Sequence, residues 1–470
     1  MSETKASLLG VVGAVVLAIA ASPGLAQCEV QKLTASDANG GAEDFGFSVS
    51  ISGDLAVIGA QADDHASPGD PNCISGSAYI FRRVGVRWAE ETKLTASDAA
   101  CGDHFGYAVS ISGYVVAVGA LGKDQGALSD CGVVYIFRRD GTTWLQEQKL
   151  TAPNPAQGDN FGESVALNGN AALVGVPGDN CSSEGYCGSA YVYRFDGTGW
   201  VQEANLIATD GATGDSFGKS VSISGDTAIV GAVGDDCVDG SACGSAYVFT
   251  REETTWDQDA KLTASDRAQG DWFGKSVSVS GDQVVVGAYS DDCAGGPDCG
   301  SAYVFRRNGS TWVQEIKLVA SDAAQGDLFG NSVSIDGDVA IVGAMFDDCV
   351  NGLNCGAAYI FQRNSNGTPS DRADDFWEEM DKLVASDPGE NDYFGHSVAV
   401  AGDVIMAGAD GDDDACPGNP ACNSGSVFVY SLPVCLGIPT LSEWGLLTMM
   451  LLLLSAGIFL ASRRRRTSTR

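Results

Sequence analysis

Cysteines at a fixed spacing are the residues best placed to do chemistry in this sequence. Five loops carry cysteines six positions apart, and we predict a disulfide in each: Cys181 with Cys187, Cys237 with Cys243, Cys293 with Cys299, Cys349 with Cys355, and Cys416 with Cys422. Zinc is the alternative, but two thiolates per loop without a nearby histidine are too few ligands. The fifteen cysteines therefore indicate an oxidising compartment. Cys131 lacks a mate six positions away, so we expect Cys101 to replace it and Cys73 to stay unpaired.

Aspartates recur in the cysteine loops and in the connections from one repeat to the next, and they could bind calcium. The set is represented by Asp266, Asp271, Asp291 and Asp292. Ca²⁺ takes about six to eight oxygen ligands from carboxylates and carbonyls. The alternative is that these residues cap turns and face water, because aspartate bonds readily to nearby backbone. The sequence leaves both interpretations open and predicts no other cofactor.

No group of residues has the pattern of a catalytic site. The three histidines, His65, His104 and His396, occupy non-equivalent positions, and carboxylate pairs are too numerous to single one out. We therefore predict a protein that is not an enzyme. A formal net charge of −34 also argues against nucleic acid, which is bound through clustered Lys and Arg.

A repeated unit must position these loops. Each unit begins with a Phe-Gly pair, at Phe45, Phe105, Phe161, Phe217, Phe273, Phe329 and Phe394. Each unit continues through four short segments with strand patterns, two of them almost entirely apolar. Four strands in a unit of this length are typical of a propeller blade. We predict an all-β, seven-bladed β-propeller of four-stranded antiparallel blades over residues 27–435.

The two ends of the repeat region indicate how the ring closes. The seventh unit lacks a fourth strand, whereas residues 29–35 repeat the fourth-strand pattern of residues 314–320. We expect the N-terminal strand to complete the last blade, which leaves no open sheet edge at the seam. Cys28 and Cys435 would then meet there, and we predict a disulfide between them.

The Phe-Gly, Gly-Ala and Ala-Tyr-aliphatic-Phe pattern resembles FG-GAP repeats, the units of the integrin α-chain propeller. The resemblance covers about residues 29–431 and implies a role in recognition or adhesion. The calcium loop of integrin-like repeats is absent from the connection between the first and second strands. That connection is only Ser-Gly-Asp, as at residues 224–226. No calcium site is carried over from the family.

Both chain ends have the features of targeting signals. Residues 1–26 match a signal peptide, with cleavage expected between Ala26 and Gln27. Within residues 436–470, a charge-free stretch from 444 to 462 is long enough for a transmembrane helix, and four arginines follow it. The C-terminus would then be cytoplasmic before processing. The residues just before and at the start of this helix resemble the IPTL-type C-terminal sorting signal: Ile438, Pro439, Thr440, Leu441, Glu443 and Trp444. The resemblance implies a sorting protease of exosortase type as a partner, and a permanent membrane anchor is the alternative.

The connections divide between two faces of the predicted ring. Asp-rich loops share one face, and the Arg-bearing connections share the other, from which the chain leaves toward the membrane. We expect the acidic face to point outward from the cell surface. The leading hypothesis is a binding or adhesion module for a surface protein or carbohydrate. The alternatives are a structural envelope or matrix protein and a secreted polysaccharide-acting enzyme, which should break the symmetry with one divergent pocket.

Overall fold

The computed structural model describes residues 29–38, 43–64, 73–180, 185–238, 240–350, 352–364, 375–413 and 423–432. They form seven four-stranded antiparallel sheets, which confirms the predicted seven-bladed propeller. None of the described residues forms a helix long and apolar enough to cross a membrane. The predicted signal peptide, sorting motif and transmembrane helix lie outside the described residues.

The blades are numbered in chain order, and each runs outward from its first strand. Blade 1 contains β2 (Phe45–Ser52), β3 (Leu55–Ala60), β4 (Ser77–Val84) and β5 (Arg87–Leu94). Blade 2 contains β6 (Phe105–Ser112), β7 (Val115–Ala120), β8 (Val133–Asp140) and β9 (Thr143–Leu150). Blade 3 contains β10 (Ser164–Asn168), β11 (Ala171–Val176), β12 (Ser189–Phe195) and β13 (Trp200–Leu206).

The remaining blades repeat the arrangement. Blade 4 contains β14 (Phe217–Ser224), β15 (Thr227–Ala232), β16 (Ser245–Glu252) and β17 (Thr255–Leu262). Blade 5 contains β18 (Phe273–Ser280), β19 (Gln283–Ala288), β20 (Ser301–Asn308) and β21 (Thr311–Leu318). Blade 6 contains β22 (Phe329–Asp336), β23 (Val339–Ala344), β24 (Ala357–Asn364) and β25 (Phe376–Leu383). Blade 7 contains β26 (Ser397–Ala401), β27 (Val404–Ala409), β28 (Ser426–Ser431) and the N-terminal β1 (Glu29–Leu33).

The N-terminal strand closes the ring as predicted. Strand β1 pairs antiparallel with β28, so that Glu29 lies opposite Tyr430 and Leu33 opposite Val427. Leu33 is buried and joins the core between blades 7 and 1. The strand that begins the repeat region therefore completes the sheet that ends it.

Adjacent blades pack through the Phe-Gly pair. Phe273 is fully buried in a core shared by blades 4 and 5, where it is grouped with Val248 and Leu262 of blade 4. Within blade 5 its ring lies edge-on to Tyr303 at 5.5 Å and to Phe305 at 6.0 Å between centroids. The second strands approach the next blade so closely that only glycine fits. A Cβ atom on Gly287 would lie 2.0 Å from the carbonyl oxygen of Gly330. The Gly-Ala and Phe-Gly motifs are therefore requirements of blade packing.

The disulfides agree with the predicted loop pairs where both cysteines are described. The bonds Cys237–Cys243, Cys293–Cys299 and Cys349–Cys355 are present. Cys187 is also disulfide-bonded. Cys28, Cys181, Cys416, Cys422 and Cys435 lie outside the described residues, so the pairings predicted for them stay predictions.

The predicted partner of Cys101 is wrong. Cys101 bonds to Cys73, with 4.3 Å between their Cα atoms, and Cys131 is a buried free thiol. The loop that enters blade 2 lies against the preceding blade's second-to-third-strand loop, where Gly102 N–H donates to the carbonyl of Ile74. Cys101 therefore meets the loop of blade 1 and not that of blade 2. The position six residues before Cys131 is Gln125, whose side chain donates to the carbonyl of Gly132.

Candidate functional site

The aspartates predicted as calcium ligands lie on one face, but hydrogen bonds within the chain engage them. In blade 5 the Tyr303 hydroxyl donates to Asp266 and Asp291, at 2.9 and 2.7 Å. The Lys317 ammonium lies 2.7 Å from the same two carboxylates. Although burial opposes it, these hydrogen bonds hold the pKa of Asp266 below its usual value. The same Tyr-Asp-Asp-Lys arrangement recurs in blades 1, 4 and 6, around Tyr79, Tyr247 and Tyr359.

The other two candidates cap their own loops. Asp271 accepts a hydrogen bond from the backbone N–H of Ala268, and Asp292 accepts one from Asp298 at 3.1 Å. Burial raises the pKa of Asp271 to about 6. Among the described residues, no three His, Cys, Asp or Glu side chains are grouped so that they could hold a metal ion. The geometry of these four aspartates is that of blade-to-blade hydrogen bonding and turn capping.

The opposite, Arg-bearing face is likewise paired with acids. Glu203 accepts hydrogen bonds from Arg194 and Arg251, both at 2.8 Å, and from the indole N–H of Trp256. Burial works against ionisation of Glu203, yet these donors lower its pKa to about 2. Arg251 and Trp256 belong to blade 4 and Glu203 to blade 3, so the contacts join neighbouring blades. This face is an inter-blade network, and its arginines are largely neutralised.

The axial channel is where the repeats diverge. The residue after each Phe-Gly pair differs among blades, and all seven of these side chains line one polar cavity. We call this set the channel ring: Phe47, Tyr107, Glu163, Lys219, Lys275, Asn331 and His396. The strands around these positions are nearly invariant, for example FGFSVSIS in β2 and FGKSVSIS in β14. The variable position therefore lies on the wall of a cavity, beside strand residues that are nearly constant.

One side of the channel ring is aromatic. The ring centroid of Phe47 lies 4.9 Å from that of Tyr107 and 4.7 Å from that of His396. The Nδ1 atom of His396 lies 3.1 Å from Asp410. Asn331 donates from its amide to the backbone carbonyl of His396 at 3.0 Å. These contacts fix side chains from four neighbouring blades around the channel.

The other side of the channel ring is charged. Lys219 forms an ion pair with Glu163, and this contact raises the pKa of Lys219 although burial opposes the rise. Lys275 has no such partner among the described residues, and its ammonium lies 5.5 Å from the ring centroid of Tyr289. Burial, followed by the charge of Lys219, lowers the pKa of Lys275 to about 8. A lysine with a depressed pKa inside a cavity is typical of a functional position.

The channel opens on the acidic face into a wider mouth. This cavity of about 670 Å³ shares Glu163 and Lys219 with the channel ring and is also lined by Tyr186 and Trp272. Its volume lies within the roughly 300–1,000 Å³ of small-ligand sites. Trp272 is 39% exposed and has a backbone φ of 57°, a conformation that is strained for a bulky residue. Its indole lies edge-on to Tyr289, with 5.6 Å between centroids.

Of the channel ring, only His396 stands out in the sequence, as one of three histidines at non-equivalent positions. The channel ring is polar and aromatic, and six residue types occupy its seven positions. A signal for the channel ring is present in the sequence. The residue after each Phe-Gly pair varies from Phe to Glu to Lys, while the residues beside it are nearly constant. Recognising that this position faces a common axis required the closed ring.

Comparison with family models agrees with this geometry and defines the class of protein. The chain belongs to the FG-GAP repeat family, whose model matches residues 28–81, 88–137, 144–193, 200–249, 256–305, 312–361 and 377–430. Each matched unit joins the fourth strand of one blade to three strands of the next. The IPTL-CTERM motif matches residues 437–466. The chain is thus an FG-GAP propeller followed by a C-terminal sorting motif. A comparison with curated proteins finds no match.

Proposed function

We propose that this protein is an exported, surface-delivered binding module, not an enzyme, and that its ligand site is the axial channel. One observation carries the proposal: six residue types occupy the seven equivalent positions that follow the Phe-Gly pairs and line the channel, although the strand residues beside them are nearly constant. Packing alone would favour the same residue in every blade. A set of aromatic, acidic, basic and amide side chains around one cavity instead offers a ligand varied contacts.

Delivery to the surface is supported by the two chain ends. The signal sequence at residues 1–26 directs export, and the motif at residues 437–466 directs sorting by a protease of exosortase type. The apolar stretch at 444–462 holds the protein in the membrane before cleavage, with the arginines in the cytoplasm. Surface labelling of intact cells tests this, and a Pro439→Ala variant should accumulate in the membrane.

The binding role is tested with glycan and peptide arrays probed with the full-length protein in detergent. We expect a selective set of ligands that is lost in Trp272→Ala and retained in Leu328→Ala. Leu328 is a matched control, because it occupies the equivalent position of blade 6 and has the same φ of 57°. If ligand binding is retained in every variant with a channel substitution, the binding site lies on a loop face and not in the channel. An array without selective ligands would favour a structural matrix protein.

One observation favours a polysaccharide-acting enzyme as a second candidate. The pKa of Lys275 is lowered to about 8, which would let this side chain accept a proton near neutral pH. Incubation of the protein with neutral and acidic polysaccharides, followed by chain-length analysis, separates the two functions. A binding module leaves chain length unchanged, whereas shortening that is lost in Lys275→Met would establish catalysis.

A further inference from the structure

The charge environment of Lys275 indicates what the channel binds. Among the lysines that the structure describes, Lys275 alone forms no ion pair. The others contact Asp or Glu, for example Lys219 with Glu163 and Lys317 with Asp266. A lysine without a carboxylate is unexpected in a chain with a net charge of −34. Lys275 lines the polar cavity of the channel ring. An anionic ligand that enters this cavity could form the ion pair that the chain does not supply to Lys275.

An exposed aromatic surface lies beside this cation. Trp272 and Lys275 both contact the ring of Tyr289, the indole at 5.6 Å and the ammonium at 5.5 Å from its centroid. Tyr289 thus joins the flat surface of Trp272 to the charge of Lys275. Exposed indole and phenol rings favour ligands with an apolar face and a polar rim. The C–H face of a pyranose ring is such a surface.

The rest of the mouth mixes small apolar residues, such as Pro177 and Val233, with polar ones. Asn160, Ser216 and Ser241 line it together with Trp272 and Lys219, and the cavity measures about 670 Å³. Amide and hydroxyl groups can donate and accept hydrogen bonds with sugar hydroxyls. The volume suits a few sugar residues and is too small for a folded partner.

We infer that the channel mouth and the adjoining channel ring together bind a saccharide bearing a carboxylate, a uronic acid residue, with its ring against Trp272 in the mouth and its carboxylate toward Lys275 and Lys219 in the channel ring. This inference rests on the proposed binding function and narrows it to one ligand class. Glu163 pairs with Lys219, and Asp236 adds a further carboxylate to the mouth, so Lys275 is the one cation of the channel ring left to select an acidic sugar over a neutral one. The ring contact in turn selects a sugar over a simple carboxylate.

The test is isothermal titration of the full-length protein in detergent with three probes: trigalacturonate, galactotriose and acetate. We expect binding of trigalacturonate, at least about tenfold weaker binding of galactotriose, and none of acetate, because a charge-assisted contact is lost in the neutral sugar. Lys275→Met should weaken trigalacturonate binding by about tenfold and leave galactotriose unchanged, whereas Trp272→Ala should weaken both. Leu328→Ala should bind like the wild type.

The outcomes separate this inference from the binding function. Equal affinity for the neutral and acidic sugars would overturn the anion contact and leave the channel as a sugar site. Absence of trigalacturonate binding, with array ligands that are still lost in Trp272→Ala, would overturn the ligand class and preserve the function. If Lys275→Met and Trp272→Ala both bind trigalacturonate as the wild type does, the binding site is not in the channel. Far-UV circular dichroism and melting of each variant identify losses that arise from unfolding.

Discussion

Leu33, near the start of the described chain, lies directly opposite Val427, in the last strand of the propeller. The pairing makes blade 7 a composite of both ends of the repeat region, so its stability depends on the N-terminal strand. Leu33 is 2% exposed, and truncation of a buried leucine leaves a cavity.

Removal of the N-terminal strand should therefore open the ring. Deletion of residues 27–36 exposes the edge of β28, and we expect loss of cooperative melting together with self-association, measured by calorimetry and light scattering. The milder Leu33→Ala should lower the free energy of unfolding by about 2–4 kcal/mol. Leu262→Ala, at the equivalent buried position of blade 4, is the matched control and should cost about as much. A fully stable monomer after the deletion would contradict the closure.

Two lysines should respond oppositely to the same substitution. Lys275→Met removes a cation whose pKa falls from 10.5 to about 8 in the fold, and should raise the free energy of unfolding at pH 7 by about 1–3 kcal/mol after solvent screening. The sign follows because the unfolded chain binds this proton more tightly. Lys317→Met leaves Asp266 and Asp291 without their cation and should lower the free energy of unfolding by roughly 2–4 kcal/mol. Urea unfolding measures both. Destabilisation by Lys275→Met would show that this lysine is structural.

The buried loop aspartates should make part of the stability depend on pH. Burial raises the pKa of Asp327 to about 6, with Asp347 adding to the rise and Lys382 and Asp322 nearby. Because its pKa is raised in the fold, protonated Asp327 stabilises the folded state. This contribution to the free energy of unfolding is fully present below the unfolded pKa, near 3.8, and is lost as pH rises through about 6. Asp327→Asn keeps an oxygen that can accept the hydrogen bond from Ala324 N–H. The variant should thus be about 1–3 kcal/mol more stable than wild type at pH 7.

This difference should vanish below about pH 4, where both chains carry a neutral side chain. Urea midpoints of wild type and variant across this pH range provide the measurement. Asp257→Asn, at an exposed position in β17, is the control and should stay within about 0.5 kcal/mol of wild type at every pH. An advantage of Asp327→Asn that is independent of pH would contradict the assigned cause.

Among the cysteines that the structure describes, Cys131 should be the one that reacts with a thiol reagent, and only after the protein unfolds. It is a buried free thiol, and burial is the main reason that its pKa is raised. We expect iodoacetamide to leave Cys131 unmodified in the native protein and to alkylate it in urea without reductant, as read by peptide mass mapping. Cys73 and Cys101 should remain linked under the same conditions. Alkylated Cys101 in urea without reductant would contradict the pairing.

The architecture could be predicted from the sequence because it depends on local, repeated patterns. Phe-Gly and Gly-Ala mark the close contacts between blades, as Gly287 against Gly330 shows, and seven recurrences determine the number of blades. Cysteines six residues apart pair within one loop, as Cys237 and Cys243 do, so their partners can be read along the chain. Residues 29–35 match the fourth-strand pattern, so the closing strand can likewise be identified from the sequence alone.

Contacts between blades were decided only by the tertiary structure, because they join residues that are distant in sequence. Which loops are neighbours across a blade boundary determines that Cys101 meets Cys73 and not Cys131. Asp266, which was predicted as a calcium ligand, lies in the connection that leads into blade 5 and meets Tyr303 and Lys317 of that blade. The channel ring exists only because closure brings one position of every first strand to a common axis, where burial lowers the pKa of Lys275.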